Sequence, residues 1–106
     1  MTRRIVITPR ASQDIDEQFA YIASDNEDTA LRFFDSVRQT FSQLARTPGM
    51  GSRYEVSNPR LEGLRKWAVK GFEKHLIFYL YSGDTIEVVR VLHAGRDIAT
   101  ILDEVG

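Results

Sequence analysis

The side chains able to do chemistry sit mostly in the second half of the chain. His75 and His93 are its two histidines, and imidazole is the side chain that titrates nearest neutrality. Around them stand Arg65, Lys66, Lys70, Lys74, Tyr79, Tyr81 and Arg90. This set has the ingredients for metal-free cleavage of a ribose phosphate, in which a 2′-hydroxyl attacks its own phosphate. The reaction needs a base for the hydroxyl, an acid for the leaving oxygen and cations for the charge that builds on phosphorus. His93 with Arg65, Arg90 and Lys70 is the combination that would serve it. The remaining composition weighs against it. Residues 53–75 carry six basic groups against three acidic ones, a local charge of +3, which is mild for a protein that must grip phosphates. Beyond His93 the acid–base groups are the carboxylates Asp97, Asp103 and Glu104, and no tyrosine follows Tyr81.

Each of these residues also has a plainer reading. A histidine at a strand end is most often hydrogen-bonded and structural, which covers His93. His75 opens an apolar strand beside Lys74 and reads as a rim residue. Trp67, between Lys66 and Lys70, could stack on a base, but core packing or a partner contact is the commoner fate of such a residue. Arg90 lies inside a β-branched strand and must be paired or reach solvent, because an unpaired buried charge is expensive; Glu87 or a C-terminal carboxylate would suffice. Phe33, Phe34 and Phe41 read as core. Gly49-Met50-Gly51 is too short for a phosphate-binding loop and reads as a turn.

Whole classes are disfavoured by composition. The 106 residues suit a single domain spanning 1–106. No cysteine is present and only two histidines, so disulfides, thiolate zinc sites and multi-histidine metal sites are not expected, and neither is a cofactor. Fourteen Lys and Arg against fifteen Asp and Glu give a net charge of -1, which disfavours a generic polyanion binder and sequence-specific nucleic-acid binding. The apolar runs are far shorter than the roughly 20 residues that span a bilayer, and MTRRIVITPR lacks the apolar stretch of a signal peptide. The expectation is a cytoplasmic protein with no membrane partner.

The elements that must hold these groups are legible as periodicities. Arg4-Ile5-Val6-Ile7-Thr8 reads as a strand closed by Pro9. Ala11, Ile15, Phe19 and Ile22 form one helical stripe, with Asp14, Asp16 and Glu17 in its early turns, where carboxylates suit the positive helix end. After Ser24-Asp25-Asn26 a longer apolar face runs through Ala30, Phe33, Phe34, Val37, Phe41, Leu44 and Ala45, stopped by Thr47-Pro48-Gly49. The short break predicts an antiparallel helical hairpin. Residues 48–63 read as a surface loop. Strands are predicted over Leu64 to Val69, His75 to Tyr81 (central, by its almost wholly apolar run) and Thr85 to Leu92, the last two joined tightly at Ser82-Gly83-Asp84. Asp97 reads as the N-cap of a short C-terminal helix carrying Ile98, Ile101, Leu102 and Val105. The order β-α-α-β-β-β-α predicts a two-layer α+β domain, the hairpin packed on an antiparallel sheet.

Three stretches carry a resemblance: ITPRASQDIDEQFAYIA, RFFDSVRQTFSQLARTPGMG and LRKWAVKGFEKHLIFYLYSGDTIEVVRVLHAGRD, the strongest local match being IFYLYSGDTIEVVRVLHAGRD within the last. With the element order they resemble the ParE toxins of the ParE/RelE superfamily of type II toxin–antitoxin systems. The resemblance implies a bacterial toxin neutralised by a cognate ParD-like antitoxin. The ParE branch poisons DNA gyrase without an active site of its own; the RelE branch is a ribosome-dependent mRNA endonuclease. A third possibility is an antitoxin-binding module that has lost its toxicity. The match at RVLHAGRD implies target binding by Arg90, His93, Arg96 and Asp97. The antitoxin's flexible tail would fold into a groove beside the hairpin or add a strand to a sheet edge, its acidic side chains meeting Arg53, Arg60, Arg65 and Lys66 near Trp67. The lack of a C-terminal acid and the near-zero net charge favour the gyrase branch. A histidine, a lysine and two arginines converging on one concave patch would overturn that preference.

Overall fold

The computed structural model of the chain describes residues 2–106. The first strand, β1 (Arg4–Ile7), is cut short by Pro9, and Thr8 between them turns the chain into α1 (Pro9–Ala23). Thr8 is extended, and its hydroxyl accepts the Ala11 N–H at 3.1 Å, while Pro9 occupies a position whose N–H would have no helical partner. The helix therefore begins early, and its first turn holds no acid. Asp14 is not a dipole partner, as the position of the carboxylates had implied; it is buried and faces a strand. Asn26 caps α2 (Glu27–Arg46) through its side chain, with Glu27 and Asp28 in the first turn. Pro48 then ends it in a 3-10 turn, Pro48–Met50.

The predicted loop between helix and sheet is less irregular than expected. It contains a two-residue edge strand, β2 (Ser52–Arg53), and a second 3-10 turn at Pro59–Leu61. The strands β3 (Arg65–Val69), β4 (Phe72–Ser82) and β5 (Thr85–His93) follow, and α3 (Ile98–Asp103) closes the fold. β4 and β5 are joined through Gly83, whose φ of 55° is in the left-handed region that favours glycine. Asp97 caps α3 as predicted.

The sheet order is β1-β5-β4-β3-β2. It is antiparallel from β2 to β5, but β1 joins β5 in parallel, so the sheet is mixed. The physical reason is the route of the chain. α1 and α2 carry the chain from β1 to the far edge at β2, and the antiparallel run β2-β3-β4-β5 then brings β5 back beside β1 in the same direction. A β-bulge places Val89 and Arg90 opposite Phe78, because Phe78 pairs with Arg90 while Tyr79 pairs with Val88.

Alternation along β4 sorts two cores. Ile77 and Tyr79 point to the helical hairpin and pack with Ala11, Ile15, Phe33, Val37, Phe41 and Leu44. Leu76, Phe78 and Leu80 point the other way, to Leu61, Leu64, Val89, Leu92 and Leu102. The second face is thus covered by α3 and the Pro59–Leu61 turn. Phe34, expected in the core, is 40% exposed and meets Phe19 edge-on at 6.2 Å on the outside of the hairpin. Among the described residues no helix is long and apolar enough to cross a membrane.

Candidate functional site

β1 covers only the first half of β5. Past Ile7, which is opposite Val88, the outer edge of β5 would leave its backbone groups without a strand partner, a costly condition near a core. Side chains from the Thr8 turn and α1 replace the strand. The Thr8 hydroxyl donates to the Val89 carbonyl at 2.9 Å, Asp14 accepts the Val91 N–H at 3.1 Å, and the Gln18 amide donates to the Val91 carbonyl at 2.8 Å. Asp14 does a second job. Arg90 donates to its two carboxylate oxygens from Nε at 2.6 Å and Nη2 at 2.9 Å, a bidentate pair with 3% and 7% of the two residues exposed. Arg90 therefore bridges to α1 rather than to Glu87 or a C-terminal carboxylate. Asp14 and Gln18 were legible, since Ala11, Asp14, Ile15, Gln18 and Phe19 share one helical face. A carboxylate inside an apolar stripe signals a buried partner, and Arg90 inside a β-branched strand is its complement.

His75 is wedged rather than set on a rim. Its ring lies 4.8 Å from that of Phe33 and 5.2 Å from that of His93, its cross-strand partner. The Gln18 oxygen stands 2.7 Å from Nδ1; because the Gln18 nitrogen is already donating to Val91, Nδ1 is the donor to that oxygen. Burial first, and the neighbouring His93 second, hold His75 below the usual imidazole range. His93 is exposed, and its Nδ1 accepts the Gly95 N–H at 3.0 Å, which puts the proton of its neutral form on Nε2.

The four residues of the nuclease reading do not gather. Arg65 is opposite Tyr79 and His93 is opposite His75. These two places are four positions apart along β4, roughly 13 Å by strand rise. Arg65 is also occupied: its guanidinium donates to the Gly51 carbonyl at 2.5 Å and lies 5.7 Å from the centre of the Tyr81 ring. It belongs to a corner where the Tyr79 hydroxyl donates to Pro48 O at 2.6 Å and accepts the Gly51 N–H at 3.0 Å. A Cβ on Gly51 would strike that hydroxyl and come within 2.8 Å of Lys66 O. Burial also pushes the Tyr79 phenol up. Lys70 is exposed in the β3–β4 turn.

The antitoxin set divides as well. Arg53 and Arg65 are cross-strand partners. Trp67 is opposite Ile77 and so shares the hairpin face, 38% exposed. Lys66 points to the opposite face, its ammonium 5.5 Å from the centre of the Tyr54 ring. Arg60 lies elsewhere again, on the rim of a concavity on the α3 side of the sheet.

That concavity, about 720 Å³, opens between the start of α1, the Pro59–Leu61 turn and α3. Leu61, Leu80, Val89, Ile101 and Val105 give it apolar walls. Arg10, Arg60, Arg90 and Arg96 line it together with Glu87 and Glu104. It contains neither a histidine nor a lysine. Of the nuclease residues only Arg90 reaches it, and of the target-binding set Arg90 and Arg96 do. Asp97 is engaged at the start of α3, where it accepts from the Thr100 hydroxyl at 2.9 Å.

Residues 5–98 match the family described as the ParE toxin of the type II toxin-antitoxin system, parDE. The chain belongs to the ParE toxin family. The ParE match begins at the second residue of β1 and ends at the first residue of α3, so it covers the sheet except Arg4 and the whole helical hairpin. A solved structure titled "Chromosomal ParDE TA system from P. aeruginosa" has the same fold: TM-score 0.67 at 16% identity, over 87% of this ParE-family chain and 96% of that one. No curated protein matches the sequence.

Proposed function

We propose that this ParE-family toxin acts by docking on a protein, DNA gyrase, rather than by cutting RNA, and that a ParD-like antitoxin holds it inactive. The observation that supports this reading is that the four residues of the nuclease combination, His93, Arg65, Arg90 and Lys70, do not converge on one concave patch. His93 and Arg65 lie opposite places four positions apart along β4, Lys70 is in the β3–β4 turn, and the concavity beside α3 has arginines and glutamates in its walls but neither a histidine nor a lysine. RNA cleavage requires base, acid and cations within hydrogen-bond reach of one phosphate. The solved ParDE system of the same fold supports the choice of antitoxin. Blocked gyrase halts replication in the cytoplasm, so unneutralised toxin would arrest growth, and a plasmid carrying the pair would be stabilised.

The test uses purified chain, gyrase and relaxed plasmid. Supercoiling is expected to stop, with cleaved DNA–gyrase complex accumulating, and both effects are expected to vanish when the antitoxin encoded beside the toxin is added. Undisturbed supercoiling with no cleaved complex would end this reading.

A further inference from the structure

We propose that two copies of this chain pair through the outer edge of β1, in an antiparallel register centred on Val6. β1 is the last strand on its side of the sheet. The Arg4 N–H donates to Asp84 O at 2.7 Å and the Thr8 N–H to Val88 O at 3.1 Å, so the even-numbered residues bond to β5. By alternation the N–H and C=O groups of Ile5 and Ile7 point the other way. Among the described residues no turn, loop or cap group bonds to them. Unpaired edge groups are a template for another strand. Between Arg4 and Pro9 nothing blunts this one: Ile5, Val6 and Ile7 are β-branched and apolar, with Val6 40% and Ile7 41% exposed. The opposite edge is protected, since β2 is two polar residues long, Ser52–Arg53.

The edge is its own complement. Ile5-Val6-Ile7 reads the same in both directions, so an antiparallel copy presents the same side chains and the same outward groups, as a two-fold contact requires. Backbone chemistry selects the register. Centred on Val6, Ile5 of each copy lies opposite Ile7 of the other, and each such pair exchanges both of its backbone bonds. Centred on Ile5, Ile7 would face Arg3, whose N–H is already given to Ala45 O at 3.1 Å. Centred on Ile7, Ile5 would face Pro9, which has no N–H. Only the Val6 register uses every outward group. It also sets Arg4 opposite Thr8, which keeps the two Arg4 side chains roughly 13 Å apart along the strands. Val6 meets its own copy in a pair that exchanges no bonds, where Cα atoms approach to about 4.5 Å. The contact is small, so the pairing is weak. It depends on β1 alone and holds whichever target the toxin has.

Sedimentation of the purified full chain over a concentration series is expected to show a monomer–dimer equilibrium with Kd on the order of 10–100 µM. The chain has no cysteine, so Val6→Cys adds a single thiol at the two-fold. With oxidised glutathione it is expected to form a disulfide-linked dimer about tenfold faster than Arg4→Cys, which faces Thr8. Val6→Lys sets two ammonium groups opposite each other and is expected to weaken association about tenfold. Ile7→Pro removes an N–H that β5 does not use, a change an edge strand tolerates, and is expected to weaken association as much. Thermal melts report whether each variant folds; if one of these two unfolds, the other and the thiol comparison still decide. Leu31→Lys, on the outside of α2 where Leu31 is 52% exposed, is expected to change nothing. The proposal is overturned if the unaltered chain stays monomeric at about 1 mM, if Arg4→Cys cross-links as fast as Val6→Cys, or if Leu31→Lys breaks the dimer while Val6→Lys and Ile7→Pro leave it intact.

Discussion

On one face of the sheet, helices of 15 and 20 residues lay Phe33, Val37, Phe41 and Leu44 across Ile77, Tyr79 and Val88. On the other, a six-residue helix and a 3-10 turn cover Phe78, Val89 and Leu92, and the cover stops short of the arginine-lined cavity. The first face also fixes its polar groups, since Asp14, Gln18 and Thr8 occupy the open edge of β5. The second is held at its end by one side-chain amide: Asn58 donates to the carbonyls of Leu102 at 3.0 Å and Val105 at 2.6 Å. The difference teaches where a domain this small can place its parts. It has apolar residues enough for one thick core, which carries the stability. The thinner side has spare surface, and unpaired charge collects there.

The strongest way to break this comparison is Asp14→Ala, which leaves Arg90 buried without its carboxylate and strips the Val91 N–H of its acceptor. Removing one partner of a buried ion pair costs about 3–5 kcal/mol, and urea denaturation should show a loss of that size. A loss under 1 kcal/mol would mean that the pair does not anchor α1 to β5. Matched core truncations sharpen the contrast next. Phe33→Ala should cost about 3–5 kcal/mol and Leu102→Ala about 2–3, because the short α3 can settle into the gap while the long helices cannot. Equal losses by denaturation would erase the distinction between thick and thin faces. Asn58→Ala should cost about 1 kcal/mol, the net value of an amide hydrogen bond. Its signature is local: hydrogen exchange should speed up in α3 and stay unchanged in α1 and α2.

The smallest effect is that of pH on the thick face. Burial and His93 hold His75 below the ordinary imidazole value, so the unfolded chain takes up this proton at a higher pH than the folded chain does. Its contribution to stability is therefore full above about 6.5, the unfolded value, and declines as pH falls below it. Melts across pH 5 to 8 should show the decline, and His75→Gln should flatten it. A decline of the same size in the variant would assign it to other groups.

Much of the fold was legible because a single stripe or alternation encodes which side of an element is apolar. The stripe through Ala11 and Ile15, the wide face from Ala30 to Ala45 and the apolar centre of β4 each predicted their element and its burial. Phe34 misled because it borders that wide face, where a shift of one position decides between core and solvent. The candidate site was less legible. Arg60, Arg90 and Arg96 were singled out, yet they were distributed among different partners, and Arg10 was not considered at all. The β-branched run around Arg90 signals that it needs a partner, but nothing local says which carboxylate that is or that Arg10, Arg60 and Arg96 come to line the same cavity.

The order of residues by itself determined the succession of elements, the turns at Pro48 and Gly83, the cap at Asp97 and the family to which the chain belongs, since these depend on neighbours a few positions apart. Only the tertiary structure decided that β5 comes back parallel to β1, that Asp14 meets Arg90 across 76 positions, and that Arg10, Arg60 and Arg96 line one cavity. Such pairings are set by the register of distant segments, and that register is chosen by the packing of the whole domain.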